Sequence, residues 1–176
     1  MKFEELMKKI PRIALILIII FANIGCDQIT KDLARKNLEY RETIEVIGDY
    51  LVLTKVENQG AFLGMGSSLS PALRTILLLV LPSIVMIGVF VYLIRTKDLN
   101  QINIWALSFI VGGGIGNLYD RILYGEVTDM IFIDLQFAHT GIFNAADVSV
   151  MVGTGLILLD QFTSKKKAEL SDQKSS

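Results

Sequence analysis

Two long apolar runs without a single charged residue constrain this chain more than any other feature. The runs are Thr75–Ile94 and Leu99–Tyr119. Each has roughly the 20 residues that an α-helix needs to cross the hydrocarbon layer of a bilayer. Because backbone polar groups in that layer must be satisfied within the segment, both runs predict membrane-spanning helices. The composition agrees, with 52% hydrophobic and only 20% charged residues.

Two shorter apolar segments, Ile13–Cys26 and Val148–Leu159, predict a first and a last span. At about 1.5 Å per residue each segment covers only roughly 20 Å, so each helix must continue through its polar borders. This extension draws Asp27 and Asp147 into the membrane boundary. We predict one domain over residues 1–164, with spans at about 11–33, 72–95, 99–120 and 143–162.

Basic residues near the predicted helix ends set the orientation, because Lys and Arg stay on the cytoplasmic side. Both termini are therefore predicted to be cytoplasmic, with residues 165–176 as a polar, disordered cytoplasmic tail. The loops at 34–74 and 120–141 would then face outward. The basic residues that decide this are Lys2, Lys8, Lys9, Arg12, Arg95, Lys97, Lys165, Lys166 and Lys167.

The first outer loop carries a pattern typical of β-structure. Thr43–Ile47 and Tyr50–Val56 are rich in β-branched and apolar residues, and the pair Gly48-Asp49 between them favours a turn. We predict an extracytoplasmic β-region at about 42–66. The fold class expected is thus an all-α membrane protein, with four transmembrane helices and a small β-hairpin or β-cradle in the first extracytoplasmic loop.

Charge and residue inventory exclude several classes of function. A net charge of -1 without a basic stripe argues against nucleic acid as a partner. The chain has one cysteine, Cys26, and one histidine, His139, so no His and Cys cluster predicts a metal site, and we expect no cofactor. Serine or cysteine catalysis needs an adjacent base, which the lone His139 does not obviously supply, and Ser149 with Lys31 is a weaker possibility.

Polar residues gather at the predicted outer ends of three helices. Ionisable groups at membrane depth are costly unless they are paired or functional, which favours a site. Some have simpler explanations: Asp27 and Lys31 could form an ion pair along one helix face, and Asn144 and Asp147 could cap a helix. Ion pairs and caps alone do not explain why three helices collect such groups on one side. The gathered residues are Asp27, Lys31, Asn117, Asp120, Arg121, Asn144 and Asp147, with Asn58 and Asp129 in the outer loops.

Carboxylates dominate this inventory, which narrows the chemistry. Two carboxylates held close in a low-dielectric site cannot both ionise, so one keeps a proton while the other activates water. That arrangement is the one aspartic proteases use. We therefore expect peptide hydrolysis.

Five motifs in order resemble those of the lipoprotein signal peptidase family, also called signal peptidase II. They are DQITK at 27–31, ENQGAF at 57–62, GNLYDR at 116–121, EVTDM at 126–130 and FNAAD at 143–147. The resemblance implies a bacterial inner-membrane aspartyl endopeptidase without metal or cofactor. Its substrates would be diacylglyceryl-modified prolipoproteins, cut just before the lipid-modified cysteine. Membrane lipids and globomycin-type peptide inhibitors are further partners that the resemblance implies.

The resemblance also implies roles for individual residues. Asp129 and Asp147 match the catalytic pair, and Asp120 is the rival for the second carboxylate. Thr128 departs from the family pattern, since an apolar residue is usual before the catalytic Asp. The residues that match substrate-binding or site-supporting positions are Asn58, Gly60, Asn117, Arg121, Asn144, Ala146, Asp120, Asp27 and Lys31.

Other interpretations stay open at this point. A four-helix transporter or assembly subunit could use the same polar cluster without catalysis. The N-terminus through Ile24-Gly25-Cys26 could instead be a lipoprotein signal with Cys26 as the lipidated residue. The stretch GGGIGN at 112–117 lacks the last glycine of a dinucleotide loop, and its small residues more plausibly permit close helix packing.

Overall fold

Four helices dominate the structure, a computed structural model that describes residues 11–61 and 64–165, and the backbone of 166–175. All four are long and apolar enough to cross a membrane. The basic residues Lys2, Lys8 and Lys9, and Phe62 of the second motif, lie outside the described residues. The helices are α1 (Arg12–Asn37), α2 (Pro71–Arg95), α3 (Gln101–Tyr124) and α4 (Ala145–Ser175).

Local sequence sets the helix ends. Ser70 caps α2 by accepting a hydrogen bond from the Leu73 amide at 3.5 Å, and Pro71 follows in the first turn. Asn100 caps α3 through the Asn103 amide at 2.8 Å. Within α2, Ile76–Val80 forms a π-helical turn just before Pro82. Since proline has no amide hydrogen, this wider turn absorbs the interrupted hydrogen bonding.

The first and last helices both pass through polar residues. Asp27 lies inside α1, and Asp147 lies in the first turn of α4. At its other end α4 continues as helix to Ser175, so the expectation of a disordered tail from Lys165 is wrong. The tail sequence holds strong helix formers such as Ala168, Glu169 and Leu170, which extend the helix that precedes them.

A three-stranded antiparallel sheet of order β1-β2-β3 caps one end of the helices, which we call the sheet end. Strands β1 (Thr43–Ile47) and β2 (Leu51–Asn58) form the predicted hairpin around Gly48, whose φ is +47°. The sequence did not predict strand β3 (Val127–Ile133), which pairs with β2 and places Val56 opposite Asp129. Four membrane-crossing helices with a small sheet confirm the predicted fold class.

Helix α3 lies at the centre of the bundle and contacts each of the other three helices. Its glycines let neighbouring backbones approach closely. A Cβ on Gly112 would meet Asn23 Cβ at 2.8 Å on α1, and a Cβ on Gly113 would overlap the Ala146 carbonyl oxygen on α4. The small residues of GGGIGN therefore serve helix packing. They bring the ends of α1, α3 and α4 together at the sheet end.

The close approach of α3 and α4 predicts the effect of a single methyl group. Gly113→Ala should lower the melting temperature in detergent, because overpacking a tight contact costs about 1–3 kcal/mol. Gly155→Ala is the matched control, since a Cβ there has nothing within 4 Å and should leave stability unchanged or slightly raised. Equal melting temperatures for the two variants would contradict this packing.

Candidate active site

A buried ion cluster joins α1 to α3 at the sheet end. Lys31 Nζ lies 2.8 Å from Asp27 Oδ2 and 3.1 Å from Asp120 Oδ2, and all three residues are fully buried. Gln28 donates to both carboxylates, at 3.0 Å to Asp27 and 3.1 Å to Asp120. Lys31 therefore bridges two carboxylates from different helices.

The same cluster reaches the start of α4. Asp27 Oδ1 accepts a hydrogen bond from the Ala146 amide at 2.9 Å. Lys31 Nζ also donates to Asn117 Oδ1 at 2.9 Å. Gly116 lies against this group, because a Cβ there would meet Asp27 Oδ2 at 2.6 Å. The ends of α1, α3 and α4 are thus fixed to one another by buried polar contacts.

Asp129 lies in β3 and is held by two carboxamides. Its Oδ2 accepts from Asn58 Nδ2 at 2.9 Å, and its Oδ1 accepts from Asn144 Nδ2 at 2.6 Å. Asn58 is the last residue of β2, and Asn144 immediately precedes α4. Asp129 as a whole is only 3% exposed. Both of its oxygens are therefore oriented by neighbours on different elements.

Asp147 is held by a reciprocal cap at the start of α4. The Asp147 amide donates to Asn144 Oδ1 at 3.0 Å, and the Asn144 amide donates back to Asp147 Oδ2 at 3.2 Å. This is the capping-box pattern. Asp147 Oδ1 also accepts from Asn117 Nδ2 at 2.8 Å. The predicted capping contacts exist, and they leave Asp147 oriented towards α3.

Asn144 and Asn117 connect the two acids. Asn144 Nδ2 donates to both Asp129 Oδ1 and Asn117 Oδ1, the latter at 3.1 Å. A continuous network therefore runs from Lys31 through the two asparagines to Asp129 and Asp147. Because every amide contributes both a donor and an acceptor, the network orients the acids with neutral groups.

Asp129 and Asp147 line the same cavity of about 310 Å³. Its apolar wall comes from α2 and α4, and its polar wall from the network just described. Arg121 also lines the cavity and donates to the Gly60 carbonyl oxygen at 2.8 Å. Asp120, by contrast, does not line it. The lining residues are Asn58, Ala61, Leu78, Pro82, Asn117, Arg121, Val127, Asp129, Ile142, Asn144, Asp147, Val150 and Met151.

Burial changes the protonation of Asp129. Burial, and to a smaller degree the nearby negative charge of Asp147, raises the pKa of this carboxyl from 3.8 to about 6. The hydrogen bonds from Asn58 and Asn144 act in the opposite direction, since they favour the charged form. A carboxyl with such a pKa can hold or release a proton near neutral pH.

The structure brings together all of the acids and amides singled out from the sequence. The residues considered for serine or cysteine catalysis are not part of this cluster. Ser149 donates to Asn23 Oδ1 at 2.6 Å and makes no bond to Lys31, so that pairing is wrong. Cys26 and His139 are exposed. Among the side chains described, no three of the metal-ligating types His, Cys, Asp and Glu are grouped as a metal site requires.

Sequence reasoning missed four residues that contact this site. Gln28 lies beside Asp27 in the first motif. Arg35 follows Lys31 by one helical turn on the same face, and this spacing could have identified Arg35 as a site residue. Thr128 was noticed only as a departure, and Glu57 only as part of a motif. Arg35 Nη2 lies 2.8 Å from Asp120 Oδ2, and Thr128 Oγ1 donates to Glu57 Oε2 at 2.9 Å.

Two buried carboxylates with supporting amides, on helices long enough to cross a membrane, describe the class of protein, and comparison with known proteins identifies the family. The family model described as "Signal peptidase (SPase) II" matches residues 19–163. A lipoprotein signal peptidase of Brevibacillus brevis is 38% identical over 144 residues, covering 82% of this chain and 92% of the relative. One of Clostridium novyi is 38% identical over 145 residues, covering 82% and 94%.

Solved structures agree with this assignment. The fold is similar to that of a bacterial membrane enzyme determined by the in meso method at 2.3 Å resolution, with a TM-score of 0.79 and 28% identity. That match covers 88% of this chain and 92% of the other. The chain therefore belongs to the signal peptidase II family of proteases and is a multi-pass bacterial membrane protein. Membership supports a role in processing the signal peptides of prolipoproteins.

The buried ion cluster predicts the effect of removing its cation. Lys31→Met should destabilise the protein by about 3–5 kcal/mol, because Asp27 stays buried without a cationic partner and Asp120 keeps only Arg35. Lys36→Met is the matched control: its pair with Asp32 is exposed and should contribute at most about 1 kcal/mol. Melting temperatures in detergent measure both, and a Lys31→Met protein as stable as Lys36→Met would contradict the cluster's structural role.

The raised pKa of Asp129 predicts a dependence of stability on pH. Since the folded pKa lies above the unfolded value, the wild type loses stability relative to Asp129→Asn as pH rises from 4 to 7. The shift corresponds to about 3 kcal/mol between those limits. Melting both proteins across this range tests it, and a stability difference that does not change with pH would show that Asp129 titrates normally.

Proposed function

We propose that this protein is an intramembrane aspartyl endopeptidase that removes signal peptides from diacylglyceryl-modified prolipoproteins, cutting just before the lipid-modified cysteine. The observation that carries the proposal is the pair Asp129 and Asp147, which face one cavity and share the asparagine Asn144. Family membership supports the substrate class. The proposed peptidase domain spans residues 1–164.

The two acids are suited to different roles. Asp129, whose pKa is raised to about 6, is the acid that more readily keeps a proton. Asp147 lies in the first turn of α4, where the helix dipole favours negative charge. We assign Asp147 as the base that takes a proton from the attacking water, and Asp129 as the acid that protonates the substrate.

The reaction then follows the usual course of aspartic peptidases. The water oxygen forms a bond to the carbonyl carbon before the modified cysteine, and the C–N bond breaks. Asp147 returns the proton it took from water to the leaving nitrogen, which becomes the new amino terminus of the lipoprotein. Asp129 regains its proton from a hydroxyl of the tetrahedral intermediate, whose carbon becomes the carboxyl end of the signal peptide. Asn58, Asn117 and Asn144 hold the acids in place throughout, since their hydrogen bonds fix all four carboxylate oxygens.

Asp120 is assigned a supporting role. Its oxygens are occupied by Lys31, Arg35, Gln28 and the Thr128 amide, and it does not line the cavity. A carboxylate that is bound to two cations and does not line the cavity cannot reach a water or a substrate there. Asp27 and Lys31 are bound to each other and do not line the cavity, so we assign them a structural role beside the site.

The cavity walls suit an apolar substrate. Leu78 and Pro82 of α2 face Val150 and Met151 of α4 across it. Both helices are long enough to span the bilayer, so we propose that the lipid-modified substrate enters between them from the membrane. Membrane lipids and globomycin-type peptides would compete for the same apolar wall. No cofactor is required by this chemistry.

Charge supports the orientation that we propose, with both termini in the cytoplasm. Arg95 and Lys97 lie between α2 and α3, at the end of the bundle opposite the sheet. By the positive-inside rule we expect that end to face the cytoplasm, and we propose that the acids lie near the extracytoplasmic face of the inner membrane. The alternative of a transporter or assembly subunit is less favoured, because the family consists of peptidases.

Replacing either acid tests the proposal. Asp129→Asn and Asp147→Asn should each lower cleavage of a diacylglyceryl-modified precursor by at least 10³-fold, since neither dyad member can be spared. Asp49→Asn, in the exposed hairpin turn, is the matched control and should cleave normally.

Gel analysis of the purified variants in detergent, with melting temperatures as a check on folding, provides the measurement. Normal cleavage by either dyad variant would refute the assignment. An unlipidated precursor measured beside the lipidated one tests the requirement for the diacylglyceryl group.

A further inference from the structure

Thr128, the residue immediately before Asp129 in β3, contacts three other elements. It is 1% exposed. Its hydroxyl accepts from Arg35 Nε at 2.9 Å and donates to Glu57 Oε2 at 2.9 Å, and its amide donates to Asp120 Oδ2 at 3.2 Å. The residue is therefore tied to α1, β2 and α3 at once. A side chain without a hydroxyl could make neither of the two side-chain bonds.

Arg35 is built into the same place. Its Nη2 lies 2.8 Å from Asp120 Oδ2, while its Nε reaches Thr128. The guanidinium stacks over the Tyr124 ring at 4.3 Å from the centroid, and the side chain is 21% exposed. A planar guanidinium can make a carboxylate contact, a hydroxyl contact and an aromatic contact together, which lysine cannot.

We propose that Arg35 and Thr128 are positioning residues that fix strand β3 so that the carboxylate of Asp129 meets Asn58 and Asn144. We call the group of Arg35, Glu57, Asp120 and Thr128 the strand clamp. The inference rests on the proposed function, because it assigns the clamp a role in catalysis by Asp129.

Geometry explains why catalysis needs such a clamp. Asp129 must direct one oxygen to the end of β2 and the other to the start of α4. A displacement of about 1 Å can cost catalysis up to 10²-fold even when binding is unchanged. Thr128 has a stiff β-branched side chain, which holds its hydroxyl in one direction. Glu57, which accepts a hydrogen bond from that hydroxyl, lies directly opposite Thr128 on strand β2. Rotation of β3 about its axis would have to break these contacts as it moved Asp129.

The first test replaces the hydroxyl. Thr128→Val keeps the shape but loses both side-chain bonds, and we expect kcat to fall about tenfold with KM within about twofold of wild type. Thr128→Ser keeps the hydroxyl and should recover most of that loss. Thr154→Val is the matched control, because the Thr154 hydroxyl bonds only to the carbonyl oxygen of Val150 in its own helix. The assay uses a synthetic diacylglyceryl-modified precursor peptide with the full-length protein in detergent.

The second test replaces Arg35 and measures whether the effects of the Arg35 and Thr128 changes on kcat depend on each other. Arg35→Met alone tests the clamp if Thr128→Val fails to fold. Arg35→Met should lower kcat by a similar factor, whereas the exposed neighbour variant Lys36→Met should not. The double variant Arg35→Met/Thr128→Val should lose less activity than the product of the two single losses, because both changes remove the bond between Arg35 and Thr128.

The outcomes separate the two proposals. Wild-type kcat in Thr128→Val, failure of Thr128→Ser to recover activity, or additive losses in the double variant would each overturn the clamp. If Asp129→Asn is inactive while Thr128→Val is normal, only the clamp fails. If Asp129→Asn retains full activity, the proposed function itself fails.

Discussion

The contact on which this site depends is the one between the Lys31 ammonium and two buried carboxylates. Asp27 and Asp120 come from different helices, and both are fully buried with Lys31 between them. An unpaired charge in such surroundings costs several kcal/mol, so the three groups stabilise the fold only together. Because Asp27 also receives the Ala146 amide, the same contact fixes where α4 begins. The orientation of Asp147 follows from that starting point.

Beyond the ion cluster the network changes from charged to neutral groups. Asn117 accepts from Lys31 and donates to Asp147, and Asn144 joins Asp147 to Asp129. A carboxamide supplies a directed hydrogen bond without a full positive charge, so it can orient an acid without forcing it to stay ionised. Burial can therefore keep the pKa of Asp129 high. The cation that stabilises the fold stands one asparagine away from the proposed chemistry.

The sequence predicted the features that depend on local pattern or length. The shortness of the first apolar segment required Asp27 to lie within a helix, and the structure places it inside α1. Strand β3 was missed because its residues are buried on both faces and show no alternation. Its partner is also distant, with 71 positions between Asn58 and Asp129. The side-chain contacts of Thr128 depend on that strand, so no local pattern could reveal them.

Asn144 and Asp147 both cap helix α4 and line the cavity. Helix capping and catalysis were treated as competing explanations for Asn144 and Asp147, yet the structure shows the capping contacts at residues that line the cavity. The two explanations are compatible because a cap fixes the direction of a carboxylate and places it at the positive end of a helix dipole. Asp129, in a strand, has no comparable dipole and is controlled by burial. The different roles that we propose for two identical side chains therefore follow from their places in the fold, one at a helix end and the other in a strand.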